Sequence, residues 1–403
     1  MTTLRFHGSA AVLLLPLALF VAVTARLFIS EAAFDLTGLA AAGVLTLFSG
    51  SLLAKAPSEY WKAAVRGASS ELTGTVVLIL IASGIFSAMM KASGVADGLV
   101  FLGGMLHLTG HAFTVFVLLA SSLMAAATGS SIGTLLAAMP IFFPAGVALG
   151  ADPTMLAGAV LSGDASALLM LVPVAVLIAV AVRTRDVLMA ISAGVVTGTA
   201  TGLLIGRLSF ATIFAADDGR LSGFLISGIS NVSPIILLCV TLFAFTGIVR
   251  EAGVPDMMAK ALEAGSAGRP SALRTELFLS AATLVVTTLF AAVTSASVAL
   301  VGSLTDDIGR ASNVHPYRRS HILSGLANSL PVLMPFSAFV LITMAAVSGL
   351  EGAAAVTPFT LMTAAFYPIA LFLVFGFMVL TGTGRMMETP EPEAAEAKTA
   401  TAL

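Results

Sequence analysis

Residues 67–97 read GASSELTGTVVLILIASGIFSAMMKASGVAD, and residues 228–256 read GISNVSPIILLCVTLFAFTGIVREAGVPD. Each stretch starts with glycine and serine, continues through an apolar run, and ends with a basic residue, a Gly-Val pair and an aspartate. About 20 apolar residues are enough for one helix to cross a bilayer. The likeness of the two stretches predicts that the chain contains two copies of one membrane-spanning unit.

The composition requires a lipid environment. The chain has 403 residues, of which 58% are hydrophobic and 10% are charged. A soluble domain carries about 25% charged residues, so this chain cannot cover itself with polar surface. Inside a bilayer only helices and closed barrels satisfy their own backbone, and these long apolar runs lack the alternation of barrel strands. The sequence therefore predicts an all-α polytopic membrane protein.

Several classes of function are excluded by the residues present. The net charge of −2 and the scattered basic residues argue against a nucleic-acid partner. The single cysteine, Cys239, excludes a disulfide framework within the chain and a cysteine-based metal site. The sequence has no Gly-Lys-Ser/Thr phosphate loop, so direct ATP drive is unsupported. No nucleophile, base and orienting group occur together, so we expect neither an enzyme nor a metal site nor a cofactor.

The lengths of the apolar runs predict about twelve transmembrane segments. They lie near 10–29, 33–53, 72–91, 112–128, 131–150, 155–182, 187–207, 224–249, 276–294, 297–308, 320–348 and 358–382. The tenth segment and the junction between the fourth and fifth are predicted to be broken or re-entrant. The first segment has the flanks of a signal peptide, and we expect it to be an uncleaved helix.

The basic residues indicate the orientation. With the N-terminus in the cytoplasm and alternating segments, most of the 19 Lys and Arg residues fall on the cytoplasmic side. The four on the outside are Arg26, Lys91, Arg207 and Arg220. Cytoplasmic loops carry an excess of Lys and Arg. We therefore expect a bacterial inner-membrane protein with both termini in the cytoplasm and the lipid bilayer as its surroundings.

The two copies have opposite orientations in this topology, because Lys91 lies outside and its counterpart Arg250 lies inside. Inverted repeats of this kind are common in secondary transporters. The predicted organisation is an N-terminal transmembrane helix at 1–32, a first inverted repeat at 33–186, a second inverted repeat at 187–350, a C-terminal transmembrane helix at 351–386 and a disordered cytoplasmic tail at 387–403.

One pair of polar clusters interrupts the apolar helices at matching repeat positions. Transporter sites form where paired helices break near the midplane and expose backbone groups. The alternative is close helix packing, since small residues also line membrane interfaces without a ligand. The candidate binding residues are Thr128, Gly129, Ser130, Ser131 and Thr134 in the first repeat and Thr294, Ser295 and Ser297 in the second.

A second pair of clusters surrounds an intramembrane carboxylate. The candidate residues are Ser162, Asp164 and Ser166 in the first repeat and the uncharged Asn328 and Ser329 in the second. A carboxylate inside an apolar helix indicates a functional site by default. Asp164 could carry a proton or bind Na⁺; the alternative is that it lies nearer the outer surface.

The histidines are not assigned to transport. His107 and His111 flank Gly110 near the outer interface, where a solvated turn is expected. His315 and His321 lie beside two arginines in a basic cytoplasmic loop, and we interpret them as structural.

Three stretches carry a resemblance to a known family. They are Ala127 to Thr134 (ATGSSIGT), Ala157 to Gly163 (AGAVLSG), and the run from His315-Pro316 to Leu333-Met-Pro-Phe336. Together they resemble the NhaC-type sodium/proton antiporters of the ion transporter superfamily, which also includes organic-anion carriers. The likeness extends from about Gly67 to Ile342. The acidic positions of that family fall here on Leu168, Ala175, Ser324 and Gly325.

The resemblance implies a scaffold and a mobile transport domain, often in a homodimer, that work by alternating access. It thus implies a secondary transporter that exchanges Na⁺ or Li⁺ for H⁺ and uses H⁺ or Na⁺ as the coupling ion. Because most of the family's carboxylates are replaced, a proton- or sodium-coupled carrier of a small organic anion is the alternative. A non-transporting membrane partner that kept the fold is a third hypothesis.

Overall fold

The computed structural model describes residues 4–7, 10–27, 36–128, 141–152, 171–217, 220–254, 257, 271–294, 296–298, 300–302, 305, 312–347 and 356–388. The first half contains α1 (Leu14–Ala25), α2 (Leu36–Leu53), α3 (Pro57–Ala68), α4 (Glu71–Ser93), α5 (Val95–Met105), α6 (His111–Thr128), α7 (Val172–Thr184) and α8 (Val187–Leu204). The second half contains α9 (Phe210–Ile213), β1 (Ala215–Asp217), β2 (Arg220–Ser222), α10 (Phe224–Glu251), α11 (Ala272–Leu289), α12 (Pro316–Ala327), α13 (Ala338–Val347), α14 (Pro358–Ala364) and α15 (Phe366–Thr381).

Among the described residues, five helices are long and apolar enough to span a membrane, namely α2, α4, α8, α10 and α11. Two bent pairs, α12 with α13 and α14 with α15, raise the number to seven if each pair is one span. Lengths of this kind belong to a membrane-embedded helical protein, as the composition predicts. The number of twelve segments stays a prediction, since part of the chain lies outside the described residues.

Local signals at the helix ends explain several of the boundaries. The Ser70 hydroxyl accepts a hydrogen bond from the Thr73 N–H and caps α4, and Gly94 ends that helix in the left-handed conformation at φ 68°. The Asp186 carboxylate caps α8 through the Met189 N–H at 3.0 Å. Ser and Asp satisfy the first N–H groups of a helix, and glycine takes a positive φ at the other end without steric cost.

The central helix is α10, which packs along α2, α3 and α4. Two pairs of glycines let its backbone approach its neighbours closely. A Cβ at Gly67 would lie 2.9 Å from the Gly247 nitrogen, and one at Gly228 would lie 2.8 Å from the Gly84 carbonyl oxygen. Small residues at such crossings are what allow membrane helices to pack without a hydrophobic driving force. Since Gly67 at the end of α3 meets Gly247 and Gly84 in the following α4 meets Gly228, α4 and α10 run antiparallel.

The amphipathic helix α3 was not predicted from the sequence. Tyr60, Ala63 and Ala64 are buried, while Glu59 and Lys62 form an exposed ion pair at 2.7 Å. The hydrogen bond from Lys62 lowers the pKa of the Glu59 carboxyl below its usual value. Pro57 in the first turn is a helix-start signal. This helix has the pattern of one that lies along a membrane surface.

A buried ion cluster joins the start of α11 to α12 and to the segment after α15. The Glu276 carboxylate accepts from Arg318 Nε at 2.9 Å and from Arg385 Nη2 at 2.8 Å. The side chains of Glu276 and Arg318 are 0% and 1% exposed. Arg318 also donates to the carbonyls of Met378 and Thr383 at 2.7 and 2.9 Å. One carboxylate therefore ties three parts of the second half together.

Backbone pairing holds the residues after α15 against the start of α12. Val314 forms a β-bridge with Met387, and the His315 N–H donates to the Met386 carbonyl at 3.0 Å. The Glu388 N–H donates to the Asn313 carbonyl at 2.6 Å. Met387 and Glu388 are the first two residues of the predicted disordered tail, and the structure shows them bound to the helical body.

Replacing Glu276 by glutamine is expected to destabilise the protein strongly. The change leaves the buried Arg318 guanidinium opposite a neutral amide, and breaking a buried ion pair costs about 3–5 kcal/mol. The measurement is the thermal unfolding midpoint of the purified protein in detergent. Glu59→Gln is the matched control, because its ion pair with Lys62 is exposed and contributes little. Equal midpoints for the two variants would contradict the importance of the cluster.

Candidate functional site

The structure describes five of the thirteen predicted site residues. They are Thr128, which ends α6, and Thr294, Ser297, Asn328 and Ser329 in the second half. The other eight lie outside the described residues: Gly129, Ser130, Ser131, Thr134, Ser162, Asp164, Ser166 and Ser295. The geometry of the site is therefore that of its second half.

The first break in a helix follows α11. Ala291 and Ala292 have φ angles of 50° and 58°, and the Ala292 N–H donates to the Thr287 carbonyl at 2.8 Å. The chain is helical again at the described positions from 294 to 305. Left-handed geometry costs an alanine roughly 1–2 kcal/mol. Two such residues in succession are a strained reversal that the surrounding structure must hold in place.

After this break, the chain returns to the side of the protein where α11 begins. The hydroxyls of Thr275 and Ser312 are 2.5 Å apart. We call α11, the break at 290–293 and the described helical positions after it the α11 hairpin, with the break as its tip. Helix α11 is about 27 Å long at 1.5 Å per residue. This is close to the thickness of the hydrocarbon core of a bilayer, about 30 Å.

The second break separates α12 from α13. Helix α12 ends at Ala327, a short 3-10 turn follows at Leu330–Leu333, and α13 continues at an angle of 52°. Pro331 and Pro335 lie in this break and lack the N–H groups that would continue a helix. The Ser337 hydroxyl caps α13 by accepting from the Val340 N–H at 3.1 Å. The predicted residues Asn328 and Ser329 thus stand at the end of α12.

The two breaks are in direct contact. The Ala338 N–H at the start of α13 donates to the Ala291 carbonyl at the hairpin tip, at 2.7 Å. Phe290, Val293 and Ala296 pack with Ala338 and Leu341 in one apolar core. The predicted residues Ser297 and Ser329 are both fully buried. The structure therefore brings the second-half members of both predicted clusters to adjoining helix breaks.

Most hydroxyls at these breaks bond to the backbone of their own helix. Ser297 donates to the Val293 carbonyl at 3.1 Å and Ser329 to the Leu326 carbonyl at 2.7 Å. Thr287, one turn before the tip, is fully buried, and its hydroxyl has no hydrogen-bond partner among the residues that the structure describes. The hydroxyls of Thr24 and Ser83 share this property. A buried polar group without a partner costs about 1–3 kcal/mol. Sequence reasoning missed Thr287, whose only signal is its position before the predicted break.

Helix α12 has one polar, accessible face that leads to its break. Tyr317, Ser320, His321 and Ser324 are exposed and Asn328 is half-buried, at the spacing of three and four residues that defines one helix face. The opposite face is buried and consists of Arg318, Arg319, Ile322, Leu323, Gly325, Leu326 and Ala327. His321 thus lies on the accessible face, whereas the His315 ring accepts from the Tyr317 N–H at 3.3 Å and caps the helix.

Helices α11 and α12 run in the same direction from the ion cluster into the protein. Glu276 is level with Arg318, and farther along, Leu284 packs beside Ile322 and Leu326. Asn328 lies about 15 Å beyond Arg318 at the rise of an α-helix, which is about half the thickness of the hydrocarbon core. The polar face of α12 therefore extends from the base of the hairpin to the helix break.

Comparison of the sequence with known proteins finds no family model that matches the chain and no match among curated proteins. The NhaC resemblance accordingly stays a prediction, carried by the motif residues alone.

Cysteine labelling tests whether water reaches the polar face of α12. Cys239 is fully buried, so the background should be low. We expect Ser324→Cys to react with a permanently charged thiol reagent and Ala327→Cys, on the buried face, to resist it. Phe377→Cys on α15, where the side chain is 60% exposed, is the lipid-facing control and should react only with an apolar maleimide. If Ser324→Cys behaves like Phe377→Cys, this face is turned to lipid.

Glycine substitutions test the strained hairpin tip. Ala292 and Ala282 are each 7% exposed, so replacing either removes a similarly buried methyl group. Ala292→Gly should relieve the left-handed strain, whereas Ala282→Gly in the middle of α11 loses about 1 kcal/mol of helix propensity. We expect the tip variant to be the more stable by about 2 kcal/mol, measured by thermal unfolding in detergent. A less stable tip variant would show that the tip is unstrained.

Proposed function

We propose that this chain is a secondary transporter that works by alternating access, with its binding site at the adjoining breaks of the α11 hairpin and the α12–α13 pair. The observation that carries the proposal is the 2.7 Å hydrogen bond from Ala338 to Ala291, which joins two interrupted helices. Non-helical backbone at membrane depth occurs where it is buried in protein or lines a water-filled cavity. Substrate sites of secondary transporters form at such interruptions.

The packing of α10 against the end of α3 and against α4 supports an inverted repeat. In the sequence repeat, Gly67 corresponds to Gly228 and Gly84 corresponds to Gly247. The contacts join Gly67 to Gly247 and Gly84 to Gly228, so exchanging the two copies converts one contact into the other. Such reciprocity is the property of an interface formed around a two-fold axis. The two helices also end alike, at the left-handed Gly94 and Gly253.

The ion cluster supports a mobile unit in the second half. Glu276, Arg318 and Arg385 hold α11, α12 and the end of α15 together by buried or half-buried charge-assisted hydrogen bonds. Groups joined in this way move as one body, because separating them would leave a buried charge unpaired. The hairpin tip, by contrast, meets the core of α2, α3 and α10 through apolar side chains. We infer that the moving surface lies at this apolar contact.

Within this scheme the first mechanism is exchange of Na⁺ or Li⁺ for H⁺, as in the family that the motifs resemble. Asp164 would carry the proton or contact the ion, and freed carbonyls at the breaks would complete the coordination. Carboxylates and carbonyls are the ligands that small hard cations prefer.

A second mechanism, transport of a small organic anion, has one specific observation in its favour. The polar side chains that the structure brings to the described breaks are neutral: Thr287, Thr294, Ser297, Asn328, Ser329 and Ser337. Hydroxyl and amide donors together with helix N-termini suit a carboxylate. Asp164 would then serve coupling alone.

Everted membrane vesicles holding a respiration-driven pH gradient test the proposal. Na⁺, Li⁺ and K⁺ would be added first and a panel of short carboxylates second, and the pH gradient measured with a fluorescent amine. If the chain exchanges cations, Na⁺ or Li⁺ should collapse the gradient in the wild type and not in Asp164→Asn. Glu71→Gln is the control, because Glu71 is an exposed carboxylate at the start of α4.

The remaining outcomes separate the alternatives. A response to a carboxylate and to no cation would establish the organic-anion carrier on the same scaffold. A response of Asp164→Asn equal to that of the wild type would remove the coupling role of this carboxylate. No response to any addition would contradict transport and favour the non-transporting membrane partner.

A further inference from the structure

A cavity of about 820 Å³ lies between α4 and α10, and its far end reaches Ile342 of α13, one turn after the break at Ala338. Residues from α2, α4, α9, β2, α10 and α13 line it. Its size falls within the range of about 300–1,000 Å³ that ligand sites occupy. The cavity begins where α4 ends and α10 starts, so its mouth lies at one end of two membrane-spanning helices.

The polar lining residues lie at the mouth, among apolar ones, and one turn deeper at Ser87 and Asn231; beyond them the lining is apolar. At the mouth lie Lys91 in the last turn of α4, Ser222 of β2 and Ser227 in the first turns of α10. Along α10, Ile235 is about 12 Å farther from the mouth than Ser227. Leu36, Val232, Ile235 and Ile342 form the apolar part. A lining of this kind matches a molecule with a polar head and an apolar tail.

Lys91 gives the mouth a positive charge. Among the described lining residues, Lys91 alone carries a charge. Its side chain is exposed, and it forms no ion pair within the described chain. The nearest acidic side chain on the next helix, Asp97, is paired with Arg207 at 3.5 Å. The Ser222, Ser227 and Thr212 hydroxyls add hydrogen-bonding groups. The mouth therefore favours an anionic group that can accept hydrogen bonds.

We propose that this cavity binds an anionic phospholipid, with the phosphate at Lys91 and one acyl chain against the apolar part. Lysines at the ends of membrane helices reach the headgroup layer, and an ammonium group there pairs with a lipid phosphate by charge-assisted hydrogen bonds. A soluble anion would leave the apolar part unfilled. The headgroup position at Lys91 is distinct from the site proposed at the helix breaks, so this inference goes beyond the proposed transport function and does not depend on it.

Native mass spectrometry of the purified full chain in detergent tests the proposal. Phosphatidylglycerol and phosphatidylethanolamine with identical acyl chains would be titrated. Glycerol phosphate, which has the headgroup phosphate and no acyl chain, is the soluble control. We expect the wild type to bind phosphatidylglycerol more tightly than phosphatidylethanolamine. Lys91→Ala should weaken phosphatidylglycerol binding about fivefold, and Lys91→Arg should retain it.

Two further variants distinguish the contribution of the Lys91 charge to lipid binding from that of the cavity itself. Lys55→Ala removes an exposed lysine at the other end of α2 and should leave lipid binding unchanged. Ala88→Phe fills the cavity, which Ala88 lines, and should weaken binding of both lipids. Equal affinity for the two lipids, unchanged binding by Lys91→Ala, or displacement of phosphatidylglycerol by equimolar glycerol phosphate would each overturn the proposal.

Discussion

Backbone groups inside a bilayer must find their hydrogen-bond partners within the protein, and this constraint shapes the second half of the molecule. Two helices are interrupted there, and their free groups satisfy each other: the Ala338 N–H reaches the Ala291 carbonyl at 2.7 Å. The Ala292 N–H turns back to Thr287, and the Ser337 hydroxyl caps α13. Once these bonds are made, the strained tip and the bent α12–α13 pair are positioned against each other, and the described second-half members of the predicted clusters lie at adjoining breaks.

The apolar runs predicted the spans that length and hydropathy alone define. The segments expected at 72–91, 187–207 and 224–249 are observed as Glu71–Ser93, Val187–Leu204 and Phe224–Glu251. A run of apolar residues must become one helix in lipid, so its ends can be read from composition. The bends within 320–348 and 358–382 were not predicted from hydropathy, which does not record where a helix turns. The sequence signal for the first bend is the pair Pro331 and Pro335.

Long-range pairing explains what the sequence did not reveal. Arg318 and Arg319 were assigned to a basic cytoplasmic loop, yet each is only 2% exposed. Burying a guanidinium in this way requires a carboxylate partner, and Glu276 stands 42 positions earlier in the chain. No local pattern links them. The same holds for Thr275 with Ser312, whose contact turns two predicted segments into one hairpin, and for the hydroxyl of Thr287, which becomes notable only through its burial.

The distribution of bonding around the breaks indicates where movement is least costly. At the base of the hairpin, Glu276 accepts from two guanidinium groups, and separating them would leave charges unpaired in a buried place. At the tip, the contacts with α2 and α10 are apolar, so sliding there exchanges one apolar surface for another without breaking a hydrogen bond to the scaffold. The polar face of α12 ends beside this apolar contact. The proposal of alternating access depends on these three features: a rigid base, an apolar sliding surface and a polar approach.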